Sequence, residues 1–240
     1  HQIAFCEAMR KRCDEFYFIA TQEMQNIGFQ KSMMAEYVVK YYSNEDRPRA
    51  DFLIMEADAV IFGFDGVSIK VLLIQRGIEP YKDHWALPGG FVGIDESAEE
   101  CARRELQEET GLIGVSVEQF HAFSDVNRDP RERVISIAYY ALVKLSEVRG
   151  GDDASEAQWF SYDDVPSLAF DHDRILRMAL RHLRDRICFE PVGFDLLPEV
   201  FTMTELQNLY EAILEVKFDR RNFYNKMLKL GILSEAEPRP

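Results

Sequence analysis

Three glutamates, Glu105, Glu108 and Glu109, stand at positions i, i+3 and i+4 of one stretch. On a helix that spacing brings the three carboxylates to one face, within a few ångströms of each other. Like charges so placed repel and need a counter-charge. A hard divalent cation supplies it, since magnesium takes oxygen ligands in octahedral geometry and bridges readily to phosphates. Arg104, four residues before Glu108, can pair at the edge of the same array and hold the carboxylates in position. A solvated acidic helix face would explain the glutamates taken alone. The Gly89-Gly90 pair and the full spacing of the surrounding residues weigh against it.

The helix that must carry them has ordinary reasons to form. Ser97 with Glu100 is a capping box, Gly111 is a stop, and Ala98, Cys101, Ala102 and Leu106 give one apolar side. Upstream, 52–64 and 68–75 are apolar and rich in branched side chains, joined across Asp65-Gly66, which predicts a β-hairpin. Trp85-Ala86-Leu87-Pro88 leads into the glycine pair. Trp85 reads as a core residue or as an aromatic at a pocket mouth. Downstream come strand-like runs near 118–126, 134–145 and 157–160, then a helix over about 173–186. Asp171 is a candidate N-cap for that helix, and His172 can reach the pocket from its first turn. Asn127-Arg128-Asp129-Pro130-Arg131 is a polar loop that either presents guanidinium groups to phosphate or ribose or is a plain surface turn.

Polar breaks at 43–49 and near 191–198 divide the chain into 1–50, 51–190 and 191–240. The first part has apolar residues at helical spacing and reads as a helical extension. The last opens with a capping box at Thr202 and Glu205, runs as a helix to about Leu214, and holds a second helix over about 219–230 that stops at Gly231. Phe223, Met227 and Leu230 are expected to face the core. The net charge of -14 disfavours general polyanion binding yet allows local acidic sites for divalent cations. The N-terminus has no secretory pattern, no apolar run is long enough for a membrane span, and the four cysteines match no zinc spacing. These features predict a cytoplasmic protein with reduced thiols. The chain begins with His1 rather than Met, and its N-terminus is discounted accordingly.

The 23 positions from Gly90 to Leu112, which hold Gly90, Glu96, Arg104, Glu105, Glu108, Glu109 and Gly111, resemble the Nudix box at every defining position. The resemblance implies an α/β fold, the Nudix α/β/α sandwich with a mixed sheet. It implies that Glu105, Glu108 and Glu109 ligate magnesium (Mg2+, or Mn2+) together with the carbonyl of Gly90. Arg104 is similar to the family's orienting arginine, and Glu96 and Glu99 sit where supporting acids are found. The implied reaction is hydrolysis of a nucleoside diphosphate derivative by water attack on a pyrophosphate phosphorus, with Arg104, Glu105 and Glu108 as catalytic candidates. The general base is Glu105 by preference, or an acidic residue in a loop outside the box. Arg128, Arg131 and His172 are the substrate-binding candidates.

A narrower resemblance covers 51–240. The segments 61–65, 85–92, 128–131, 169–172 and 219–223 are similar to Nudix-related transcriptional regulators of NAD or sugar metabolism and to their enzymatic relatives. It implies an ADP-ribose-like ligand, a small all-α winged-helix-like C-terminal domain that binds DNA, and a homodimer matching two-fold symmetric sites. Arg221, Asn222, Asn225 and Lys226, with Lys229, are expected on the DNA-facing side, where 217–231 hold five basic residues against one acidic. The complete set of box glutamates favours hydrolysis over pure regulation. The stretch ends at Pro240 before a wing hairpin, so the domain reads as an incomplete winged helix or as something other than a full DNA reader.

Overall fold

The computed structural model describes residues 53–146, 148, 150 and 154–234. The chain divides into two units, His1–Phe52 and Leu53–Pro240, and the expected N-terminal helical extension lies outside the described residues.

Seven strands form one mixed sheet: β1 (Ile54–Phe64), β2 (Ile69–Arg76), β3 (Trp85–Ala86), β4 (Gly89–Phe91), β5 (Glu118–Phe123), β6 (Val134–Leu142) and β7 (Ala154–Ser161). The order is β3-β2-β1-β6-β5, with β4 added to β1 and β7 to β2. β1 and β6 run parallel, and every other pairing is antiparallel. The expected hairpin is present: Asp65 accepts from the amides of Val67 and Ser68, and Gly66 takes φ 94°.

β1 is apolar on both faces because helices cover both. Its even residues, Val60, Phe62 and Phe64, share a core with α2 (His172–Ile187), while Ala57, Ala59 and Ile61 share another with α1 (Ala98–Thr110). This is the expected α/β/α layering. α1 buries Cys101, Ala102 and Leu106, and Leu106 at 1% exposure contributes about 1.5–3 kcal/mol by its removal from water. Beyond α2, helices α3 (Met203–Leu214) and α4 (Arg220–Lys229) continue the first core through Leu206, Leu209, Ile213, Phe223 and Met227. Both begin on side-chain caps, Thr202 with Glu205 and Asp219 to the Asn222 amide.

Two local expectations fail. Leu230 is 50% exposed, because the helix ends at Lys229 and the chain turns at Gly231 with φ 66°. Asp171 precedes α2 but makes no side-chain cap, because its carboxylate is engaged by Arg128. Among the described residues no helix is long and apolar enough to cross a membrane.

Candidate functional site

β4 fixes the glycine loop against β1, with Glu56 opposite Phe91, Ala57 opposite Gly90 and Asp58 opposite Gly89. α1 starts seven residues beyond Phe91 on an intact Ser97–Glu100 capping box and ends on Gly111 at φ 77°. The helix thereby lays its polar face beside the loop. A Cβ at Gly90 would come within 2.3–2.9 Å of the Glu105 carboxylate, and one at Gly89 would meet the Ala57 carbonyl at 2.5 Å. Only glycine allows this approach. Because the group met at Gly90 is the tip of a flexible side chain, Gly90→Ala is expected to leave melting almost unchanged while displacing Glu105. Paired thermal melts and turnover measurements check it: activity should fall without loss of the fold.

Arg104 organises the face. Its Nε and Nη2 donate to both oxygens of Glu96 at 3.0 and 2.7 Å, and Nη1 donates to Glu105 at 2.7 Å and Glu108 at 2.9 Å. The Arg104 hydrogen bonds, with the Gly93 amide, hold Glu96 down at about 2. Glu109 is buried and accepts from the Gly89 amide at 2.9 Å. Burial pushes its carboxyl up to about 8, and the charges of Glu105 and Asp58 push the same way. Glu99 is separate from this set: it pairs with Arg103 at 2.6 Å, both about half exposed, rather than with Arg104.

As the side chains stand, no group of three or more His, Cys, Asp or Glu among the described residues converges to hold a metal ion. The donors nevertheless suit a divalent cation. They are carboxylate oxygens around a glycine loop with no room for a Cβ, and one of them, Glu109, is raised by burial and by neighbouring negative charge, which a cation would relieve.

The polar loop after β5 is not a surface turn at Arg128. Its side chain is 1% exposed and is surrounded by Glu56 at 2.8 Å, Asp171 at 2.8 Å and Asp58 at 3.4 Å. Burial raises Glu56 to about 7 and Asp58 to about 6, against the pull of the guanidinium. Three carboxylates surround the Arg128 guanidinium, which thereby ties β1 to the start of α2. His172 is equally enclosed. Burial lowers it to about 4, and its Nδ1 accepts from the Leu87 amide at 3.0 Å. The neutral ring therefore carries its proton on Nε2, 3.6 Å from the Asp58 Oδ1. His172 thus positions the strand that leads to Gly89-Gly90. Both substrate-binding candidates, Arg128 and His172, are thus enclosed by neighbouring side chains. Arg131 is part exposed, pairs with Asp129 at 2.6 Å, and lies over the rings of Phe91 and Phe170.

Glu56 and Asp58, which face the Arg128 guanidinium, are not singled out by the sequence. Their signal is two acids, two positions apart, at the head of an apolar strand, which places both on one sheet face. Arg76, at the end of β2, is likewise not singled out; its Cζ lies 4.9 Å from the Phe170 ring centroid. On α4, Arg221, Asn222, Asn225, Lys226 and Lys229 are all exposed, as expected.

Comparison with known proteins agrees with both halves. The NUDIX domain family matches residues 54–179, and the NrtR DNA-binding winged helix domain matches 193–240. The chain is 32% identical over 217 residues to the ADPR responsive transcriptional repressor NtrR of Acinetobacter baylyi, covering 88% of this chain and 84% of that one. It is 46% identical over 112 residues to the ADP-ribose pyrophosphatase of Methanocaldococcus jannaschii, covering 47% of this chain and 66% of that one. Among solved structures, a MutT/nudix family protein from Enterococcus faecalis has a TM-score of 0.70 at 31% identity, covering 88% and 92% of the two chains. Shewanella oneidensis NrtR complexed with a 27mer DNA has a TM-score of 0.63 at 28% identity, covering 78% and 90%. The chain belongs to the Nudix family and carries a C-terminal winged helix domain of the NrtR type.

Proposed function

We propose that the protein is a divalent-metal-dependent hydrolase that cleaves the pyrophosphate of ADP-ribose or a similar nucleoside diphosphate derivative. The observation that carries this reading is the fit of the Gly90 backbone against Glu105 inside an array held by Arg104. Glu105, Glu108, Glu109 and the Gly90 carbonyl would hold magnesium or manganese. Bound there, the ion supplies polarisation of phosphoryl oxygens and a lowered pKa for the attacking water. Glu105 takes the proton from that water as general base. Arg104 keeps Glu105 and Glu108 oriented, with Glu96 anchoring its far side. Glu109 accepts from the Gly89 amide and holds the loop to the helix. Arg131 presents its guanidinium to the ligand from the ring of Phe91.

The ADP-ribose assignment draws support from the likeness to the Acinetobacter ADPR responsive repressor and the Methanocaldococcus ADP-ribose pyrophosphatase. A panel of nucleoside diphosphate derivatives, incubated with magnesium and followed for release of the nucleoside monophosphate, tests it. ADP-ribose is expected to give AMP at the highest rate. Absence of turnover on every member, with metal bound, would overturn the reading.

A second role is favoured by α4. Its exposed Arg221, Asn222, Asn225, Lys226 and Lys229 form a polar and basic face on an acidic protein, and the matching domain family is a DNA-binding one. We read 51–190 as the ligand domain and 191–240 as a DNA reader, acting as a homodimer whose DNA affinity responds to the ligand. Arg221→Ala is expected to weaken binding to the protein's own upstream DNA by about tenfold or more, with wild-type binding that falls as salt rises. A gel-shift titration measures both, and unchanged affinity in the variant removes α4 from the DNA contact.

A further inference from the structure

One helix reaches from the glycine loop to the C-terminal helices. α2 has 16 residues and so spans about 24 Å. Its start is fastened to the strand that precedes Gly89-Gly90: the Ala169 amide donates to the Trp85 carbonyl at 2.8 Å, and the Leu87 amide donates to His172 Nδ1 at 3.0 Å. Asp171, between them, accepts from Arg128 at 2.8 Å. A shift of the glycine loop therefore bears on the first turn of α2.

The last turn of α2 carries Arg184, which grips the end of α3. Its Nε donates to the Ile213 carbonyl at 2.6 Å, and its Nη2 pairs with Glu215. Ile213 lies in the last turn of α3, where helix carbonyls lack an intrahelical partner and a cation meets the negative end of the helix dipole. Glu215 stands at φ 55°, in the left-handed turn that leads the chain from α3 towards α4. Glu211 ties that turn back to α3, accepting from the Phe218 amide at 2.9 Å and from Lys217 at 2.7 Å. Asp219 then caps α4, and Phe223 of α4 meets Tyr210 of α3 edge-on at 5.6 Å. α3, the turn and α4 thus form one unit, held at its corner by Arg184. Leu206, Leu209 and Ile213 add apolar contact, which is non-directional and lets packed helices slide. A cleft of about 160 Å³ beside Arg184, lined by Ser68, Ile69, Tyr162, Leu180 and Ala212 among others, leaves α3 room to do so. The guanidinium fork, by contrast, fixes an angle.

We infer that α2 carries ligand occupancy from the glycine loop to the C-terminal helices, and that Arg184 is the positioning residue that couples the two. Ligand and DNA then favour different settings of α3 against α2, and Arg184 transmits the preference of one to the other. The inference rests on the reading of 191–240 as a DNA reader that responds to the ligand.

Fluorescence anisotropy tests it, with the full chain titrated onto the protein's own upstream DNA in magnesium, with and without the uncleavable α,β-methylene analogue of ADP-ribose. The readout is the factor by which the analogue changes the dissociation constant for DNA, expected to lie between about 5 and 150 in the wild type. Arg184→Ala should bring this factor to about 1. Its DNA affinity without the analogue should stay close to the wild-type value, and calorimetry should find the analogue bound as in the wild type. Arg184→Lys should recover part of the factor, because an ammonium still donates to the Ile213 carbonyl or to Glu215. Glu215→Ala, at an exposed side chain, is a second variant that removes the ion pair and leaves α2 intact; it should lower the factor by less. An unchanged factor in both alanine variants overturns the inference. So does a loss of DNA affinity in Arg184→Ala that is equal with and without the analogue, which marks Arg184 as structural alone. A wild type that binds no DNA, or whose DNA affinity ignores the bound analogue, overturns the ligand-responsive reading itself and the inference with it.

Discussion

Glu105→Gln is expected to lower the rate of ADP-ribose hydrolysis by about 10²- to 10⁴-fold with little change in thermal stability. Glu105 is 14% exposed, accepts from Arg104 at 2.7 Å, and lies where a Cβ on Gly90 would stand. The amide keeps the volume and still accepts from the guanidinium. It loses the charge that a divalent cation needs and the basicity that a water proton needs. Single-turnover kinetics at saturating ligand separates this from weaker binding. Glu99→Gln is the matched control, since Glu99 pairs with Arg103 outside the array. Equal losses in the two variants would contradict the assignment of Glu105.

Arg128→Ala is expected to have the largest effect on stability, about 3–5 kcal/mol in urea unfolding at neutral pH. The substitution strands Glu56, Asp58 and Asp171 around the space left by a side chain only 1% exposed. The defect also carries a pH signature. Glu56 and Asp58 are already raised to about 7 and about 6 with the guanidinium present, and without it they rise further. An acid whose folded pKa exceeds its unfolded value binds more protons folded than unfolded, so stability falls as pH rises above the unfolded value. The loss in Arg128→Ala should therefore be level below about pH 6 and grow as pH rises through and beyond about 7, because it changes only between the wild-type folded values and the higher ones of the variant. A loss that is constant across that window would show that Arg128 acts by packing alone.

What could be read from the sequence is what short-range periodicity governs. The i, i+3, i+4 placement of the three glutamates, the Ser97–Glu100 box, the Gly111 stop and the Asp65-Gly66 turn are decided within a few residues, and the structure holds all of them. The β3 and β4 strands are not legible locally, because two and three residues carry no period; they exist through pairing with β2 and β1. The Arg128 cluster escaped for a related reason. Its partners lie 43 to 72 positions away in sequence, and only the parallel pairing of β1 with β6 and the docking of α2 bring them together. An Asp-Pro-Arg loop looks like a solvated turn until those acids are placed beneath it. Asp171 illustrates the competition: a residue suited to capping α2 gives its carboxylate to a buried guanidinium, where the charge-assisted bond is worth more. Arg76 ends an apolar strand as any edge arginine does, and nothing local marks it as a neighbour of the Phe170 ring.

The most direct test of the central claim is a turnover experiment in heavy-oxygen water, with ADP-ribose, magnesium and the full chain. The account predicts AMP and ribose phosphate, one heavy oxygen delivered to one of the two new phosphate groups, no reaction in EDTA, and restoration when magnesium is returned. Intact ADP-ribose after prolonged incubation, with magnesium shown to be bound, would contradict it.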